Sequence, residues 1–408
     1  MRSLLLFFCC VLVQACSATA TGRSIPNGES WQALNARSHG SYSVVYSFKG
    51  EPDGAFPNAG LTILKGKLYG TTTLGGVQGD CETGGCGAIF AFDPGSGQEA
   101  VLYAFKGGGY AYEDGANPLA GLRVLNGILY GTTPFGGKAE DGTVFAFKPT
   151  SSQERVVYSF GGPDGSYPTA AVISVNHALY GTTEFGGYNY GTIVSIDPKP
   201  PSLERVLYAF RGGKDGQNPE FGLVAIHGIL YGTTLQGGYY ANGSGPGFGT
   251  VFAYSHHHKR ILYRFQGGGD GANPDGPLID VNGVLYGTTG GGGANGYGTV
   301  FAMTPSGKKR IVCDFRGGKY GASPRSGLLN VNGALYGIAG GGVGCSGSGC
   351  GILFEVTSSG EERVLHRFLG GSDGASPNGP LVSLDGVLYG TTNSDGSNGY
   401  GTIFRLTP

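Results

Sequence analysis

The sequence predicts an all-β fold: a seven-bladed β-propeller of four-stranded antiparallel blades, its ring closed by an N-terminal strand that completes the last blade. Three observations carry that expectation. Leu-Tyr-Gly-Thr recurs at Leu68, Leu129, Leu179, Leu230, Leu285 and Leu388, with a degenerate Leu-Tyr-Gly-Ile at Leu335, and a period of about fifty residues denotes one supersecondary unit repeated in a ring or stack. Each unit holds four short β-type runs separated by turn residues. The ends are complementary, because the repeats open at 42–48 with a copy of the fourth run and stop at 401–406 with a copy of the third.

Unit two shows the elements in order. Its runs are 121–125, 128–133, 142–147 and 156–160, rich in Val, Ile, Leu, Tyr, Phe and Thr, which favours strand over helix. Asn126-Gly127 joins the first two runs, as Asn282-Gly283, Asn332-Gly333 and Asp385-Gly386 do elsewhere. Both residues of such a pair accept the positive φ of a type I′ turn, so the runs form a hairpin. A repeated four-stranded meander describes a propeller; a parallel β-helix, the main rival, has shorter coils without tight hairpins inside them. A spare fourth strand at one end and a missing one at the other make sense only where the ends meet.

Composition bounds the function. With 82 glycines in 408 residues, 12% aromatics and 13% charged residues, the chain is too apolar for a disordered protein and too irregular for collagen. A net charge of −1 supplies no field for nucleic acid, which is not expected as a partner. Arg2, the apolar stretch 4–13 and the small residues 15–20 read as an export signal over 1–20, too short to cross a bilayer, which takes ~20 apolar residues. Two cleavage readings compete. Val13-Gln14-Ala15-Cys16 resembles a bacterial lipobox with Cys16 as the lipidated residue, although Gln14 stands where a smaller residue is usual; the alternative is cleavage after Ala18-Thr19-Ala20. Either places the protein outside the cytoplasm, in the envelope, at the cell surface or secreted, with membrane contact only through that lipid. Residues 21–41 are polar, contain Trp31 and form a tether to the propeller at 42–408.

Leu-Tyr-Gly-Thr-Thr-x-x-Gly-Gly, followed by Gly-Thr-Val-Phe, Val-Leu-Tyr-x-Phe and Asp-Gly-x-x-Pro, resembles the GloVer tandem repeat of bacterial choice-of-anchor surface proteins, over residues 42–408. The resemblance implies an exported protein held at the cell surface by interchangeable anchors. It implies no catalytic residue and no ligand. Unit six departs from the pattern, with Ile338-Ala339 for the two threonines and Tyr320-Gly321 for Asp-Gly.

Residues outside the repeat carry the candidate chemistry. Cys81/Cys86 and Cys345/Cys350 occupy the same place in units one and six, and in an exported chain they read as two local disulfides. A four-cysteine zinc site is disfavoured because unit seven separates the two loops. Cys313 replaces a fourth-run tyrosine and is expected to be a buried free thiol. Asp53, Asp114, Asp164, Asp215, Asp270 and Asp373 precede glycine in the Asp-Gly-x-x-Pro element, near oxygens such as Asn218, Glu220, Asn273 and Asp275; turn chemistry is favoured over calcium. His256-His257-His258 reads as an exposed turn. Arg123, Asp280 and Asn330 are polar exceptions on the first runs but share no motif. No metal or cofactor is expected.

The loops between second and third runs hold Tyr188, Tyr190, Tyr239, Tyr240, Phe248, Tyr297 and Tyr400 beside Gly and Asn. Exposed aromatics next to amides suit stacking on sugar rings or gripping peptide. The expected function is a monomeric, surface-associated binding module for an extracellular glycan or peptide. A hydrolase or lyase on the same scaffold, acting on extracellular polysaccharide, is the alternative, and a purely structural surface protein comes third. Carboxylates that break the repeat and converge on the channel mouth would favour the enzyme.

Overall fold

The structure, a computed structural model, describes residues 40–76, 81, 84–108, 113–239, 245–342, 345, 349–357 and 359–408. The export signal with Cys16, most of the tether with Trp31, and Tyr240 lie outside the described residues.

Seven antiparallel four-stranded blades follow one another around a ring. Blade 2 is built from Arg123–Leu125, Ile128–Thr133, Thr143–Lys148 and Gln153–Ser159, paired in that order. Blade 7 contributes Ala375–Leu384, Val387–Ser394 and Thr402–Thr407, and Ser41–Ser47 completes it, with Tyr42 opposite Leu406 and Val44 opposite Phe404. The predicted closure is therefore present. Among the described residues there is no α-helix.

The motif residues explain themselves by packing. In six blades the phenylalanine of the third strand is fully buried, and its ring tip fills the place where a Cβ on the Leu-Tyr-Gly glycine would stand, as Phe301 does at Gly287. Blade 3 has Val194 there, and at Gly181 the crowding relaxes. Except where Phe160 meets Val194, the phenylalanine ending a fourth strand packs against the third-strand phenylalanine of the next blade: Phe105 on Phe145, Phe210 on Phe252, Phe265 on Phe301 and, across the closure, Phe48 on Phe90 at 5.1 Å. A buried Phe contributes about 1.5–3 kcal/mol, so the closing interface is as well supplied as the others.

The two threonines have separate tasks. Thr132 Oγ1 donates to Ala170 O of the next blade at 3.0 Å, and Thr391 does the same to Ala59 O across the closure. Thr133 bonds Thr143 within its blade at 2.8 Å. Ile338 and Ala339 give up both kinds of bond in blade 6.

Candidate functional site

First strands line the central channel and enter it from the junctions between blades, so the residue after the junction proline stands at the channel mouth. Those residues are Asn58, Leu119, Thr169, Glu220, Asp275, Arg325 and Asn378. Pro stands before each and Leu or Val three positions on, while the residue itself is Asn in blades 7 and 1 and different in each of the others. All but Asp275 line a cavity of about 530 Å³ together with Arg123. Asp275 lies against Gly290, where a side chain would collide with it, and Arg325 Nε approaches its carboxylate at 3.8 Å.

The mouth is chemically lopsided. Burial pushes Glu220 up to about 8, with Glu184 and Asp275 as nearby negative charges adding to the rise. Burial also lifts Glu184 to about 7. Asp275 is raised to about 6 by burial, held back by Arg325. Opposite these acids, Asn378 and Asn393 both donate to Asn58 Oδ1, the latter at 3.3 Å. A second cleft of about 670 Å³ adjoins the mouth, sharing Asn58, Arg325 and Asn378 with it and reaching Tyr297, Ser323 and Asn393.

Two loop sets surround this face: the junctions, and the connections between second and third strands. The predicted aromatics lie on the latter and divide in two. Tyr188 is 61% exposed, and Tyr190, Tyr239, Tyr297 and Tyr400 are exposed as well, so what divides them is whether the ring has a glycine beneath it. Tyr190, Phe248, Tyr297 and Tyr400 occupy one repeat-equivalent position, immediately before Gly-Thr, and each ring covers a glycine of the junction leaving its own blade. A Cβ on Gly212 would sit 2.8 Å from Tyr190, and one on Gly50 would sit 2.9 Å from Tyr400. These glycines have positive φ as well, 69° and 78°, so ring and glycine fit only each other. Tyr297 covers Gly317 in this way and also lines the second cleft.

The cysteines belong to the same device. Cys81–Cys86 and Cys345–Cys350 are disulfides, and Cys313 is free and buried, its thiol pushed up to about 12 mainly by burial. Cys86 and Cys350 stand at the position of the covering aromatics, and both sulfurs of the second bridge approach Gly370 as the tyrosine rings approach theirs. In blade 6 a disulfide replaces a ring as the cover.

The Asp-Gly carboxylates are occupied within the fold. Asp114 accepts from Tyr103 Oη at 2.8 Å and from the backbone N–H groups of Lys106 and Gly115; Asp270 accepts from Tyr263 Oη and Gln266 N. That pattern supports turn chemistry. The three histidines form an exposed hairpin turn. Arg123 lines the channel, whereas Asp280 accepts from Gly283 N in its hairpin, at 2.8 Å. Among the described residues no group of three or more His, Cys, Asp or Glu is placed to hold a metal.

The model of the Gloeobacter/Verrucomicrobia repeat matches the chain at 33–194, 77–244 and 247–408. The chain belongs to that repeat family. No curated protein matches it. Among solved structures, an oligogalacturonate lyase from Vibrio parahaemolyticus is similar over 91% of this chain and 95% of its own, with a TM-score of 0.53 and 8% identity. A gluconolactonase from Xanthomonas campestris is similar over 92% of each chain, at 13% identity and a TM-score of 0.43. The first of these likenesses is one of fold alone.

Within this member of the Gloeobacter/Verrucomicrobia repeat family, sequence reasoning named Glu220 and Asp275 only as neighbours of a turn and passed over Glu184 and Arg325. A signal was available. Aligning the units on the junction proline exposes a position that is charged in three consecutive units, Glu220, Asp275 and Arg325, and uncharged in the others.

Proposed function

We propose that the protein is an exported, surface-associated glycan-binding propeller, acting as a monomer, whose ligand docks at the channel mouth and runs into the adjoining cleft. One observation carries this reading: the post-proline position breaks the repeat at the one place where all seven blades converge. Carboxyls, amides, a hydroxyl and a guanidinium there both donate and accept, as a polyhydroxylated ligand requires. Tyr297 adds an aromatic surface for a sugar face at the far end. The local disulfides support an oxidising location. Glycan arrays on the purified protein, followed by calorimetric titration, test the reading. Arg325→Ala and Asn378→Ala should each weaken binding by about tenfold or more, while Tyr188→Ala should not; binding that ignores the mouth variants would sink it.

Cleavage of the bound glycan is the second reading, favoured by the split between two acids. Glu220, raised to about 8, keeps its proton at neutral pH, whereas Asp275, raised to about 6, has largely lost its own. An acid and a base with pKa values pushed apart are what general acid–base chemistry uses. Glu220→Gln should then abolish product release from a bound oligosaccharide without abolishing binding. Anchoring through Cys16 belongs to the same proposal: a fatty-acid label should tag the wild type and not Cys16→Ala, and a soluble mature form beginning at Thr21 would remove the anchor.

A further inference from the structure

Seven buried positions at the blade junctions, away from the channel, are equivalent by repeat. Four residues before the fourth-strand tyrosine, a side chain reaches back to the junction entering its blade. In blades 4 and 5 this is a lysine: Lys259 Nζ sits 2.7 Å from Asp215 Oδ1, and Lys309 Nζ sits 2.8 Å from Asp270 Oδ1, with side chains only 1% and 4% exposed. Each ammonium also donates to the aspartate's own backbone carbonyl. In blades 1, 2 and 3 the same position is Glu99, Glu154 and Glu204, facing Asp53, Asp114 and Asp164. An ammonium–carboxylate pair in one half of the ring is a carboxyl–carboxylate pair in the other. The Oε1 atoms of all three glutamates are buried without a hydrogen-bond partner.

A glutamate with a buried, unpartnered oxygen beside a carboxylate does not readily ionise. The groups around Glu99 and Glu154 relieve this only in part. Glu99 faces Tyr46, Asp53 and Lys49; Glu154 faces Tyr103, Asp114, Arg155 and Lys106; Glu204 faces Asp164, whose charge also acts on Asp141. Tyr46, Tyr103 and Tyr158 already give their hydroxyl protons to the aspartates.

We propose that each of the three Asp–Glu junctions holds together while its buried glutamate keeps a proton, so that the sector of the ring containing its closure is a pH-sensitive clasp while the lysine junctions are not. The closure belongs to it because Tyr46 and Asp53, on the strand and junction that close the ring, meet Glu99 of blade 1. Glu99 and Glu204 are raised to about 7 and Glu154 to about 8, with burial the first cause in each, against about 4.3 in an unfolded chain. The folded ring therefore binds more protons than the unfolded chain through that window. The stabilisation is complete below about pH 4.5 and is lost as the pH rises through about 7 to 8.

The test compares melting curves of the wild type and of Glu99→Gln/Glu154→Gln/Glu204→Gln from about pH 5.5 to about pH 9. Glu184, Glu220 and Glu362 remain in both and give both a common decline. The wild type should fall further than the triple variant by a few degrees, and hydrogen exchange at high pH should rise first in 41–56 and 98–104, before the junctions of Lys259 and Lys309. If the triple variant does not fold, Glu154→Gln alone should show a third or so of the effect. Parallel curves, or a calcium-dependent rise in the wild-type melting temperature at about pH 8 that the variants lack, would overturn the proposal, the second by putting a cation where the proton is placed. Ligand binding at the mouth plays no part in either readout.

Discussion

The junction between blades 4 and 5 and the junction between blades 5 and 6 occupy the same ground with different chemistry. In the first, Tyr263 and Lys309 converge on Asp270. In the second, the tyrosine is Cys313, the aspartate is Tyr320 and the lysine is Glu362, which is 3% exposed and lies 3.7 Å from Arg316. Arg316 in turn stacks over the Tyr320 ring at 4.0 Å. Three residues changed together, and a guanidinium held by a ring and a carboxylate took over from an ammonium held by a carboxylate. Substitutions at a packing position come in compensated sets. At the channel mouth the coupling is looser, Arg325 lying 3.8 Å from Asp275 with its side chain 71% exposed, and that contrast separates residues that hold the ring from residues available to a ligand.

The comparison breaks hardest at its more polar member. Asp270→Ala leaves the Lys309 ammonium, 4% exposed, with the backbone carbonyl of residue 270 but no carboxylate, and removing one partner of a buried pair costs about 3–5 kcal/mol. Chemical denaturation should show a loss of that order; a loss under about 1 kcal/mol would mean that the pair is solvated and its burial unimportant. Grafting the commoner arrangement onto the other junction is subtler. Cys313→Tyr alone and Tyr320→Asp alone should each destabilise, while the double variant should recover roughly 1 kcal/mol relative to their sum, because the new hydroxyl finds the new carboxylate. Additive effects in that cycle would deny that the positions change as a set.

Covers over the junction glycines extend the same logic at a lower cost. Tyr190→Ala uncovers Gly212 and leaves a groove that water can enter, so stability should drop by about 1 kcal/mol; Tyr188→Ala, at 61% exposure, should change it by less than about 0.5 kcal/mol. Equal losses from both would remove the distinction between covering and free aromatics.

Legibility followed the same division. Blade number, strand order, hairpins and closure could be read because a repeat displays its packing needs seven times over, and Tyr46 and Phe48 announce by motif that they belong beside Ile403 and Phe90. The disulfides were readable as well, but their equivalence to Tyr190 or Tyr297 was not, since a sulfur bridge and a phenol share no letter pattern and meet only in covering a glycine. Lys259 and Glu99 were equally opaque. Both look like solvated outer-strand charges until the neighbouring blade is in place. The mouth was hidden for the opposite reason: Glu220, Asp275 and Arg325 come from three units, and only the ring brings them to one opening.

At that opening the smallest effects on stability are expected. Arg325 has a side chain 71% exposed, with Asp275 at a loose 3.8 Å, so Arg325→Ala should alter stability by no more than about 0.5 kcal/mol. Glu220→Gln should do no harm and, measured above about pH 8, should raise stability slightly, because it removes a group whose folded pKa lies above its unfolded value and whose ionisation opposes folding. Below about pH 4.5 the gain should vanish, the wild-type carboxyl being protonated in both states. Melting temperatures at the two pH values, set beside ligand affinities for the same variants, give the sharpest form of the comparison. Variants that leave the ring intact and change binding mark residues free of the fold. A Glu220→Gln protein that melts early at every pH would instead place Glu220 among the packing residues, and the mouth would lose its claim to be a site.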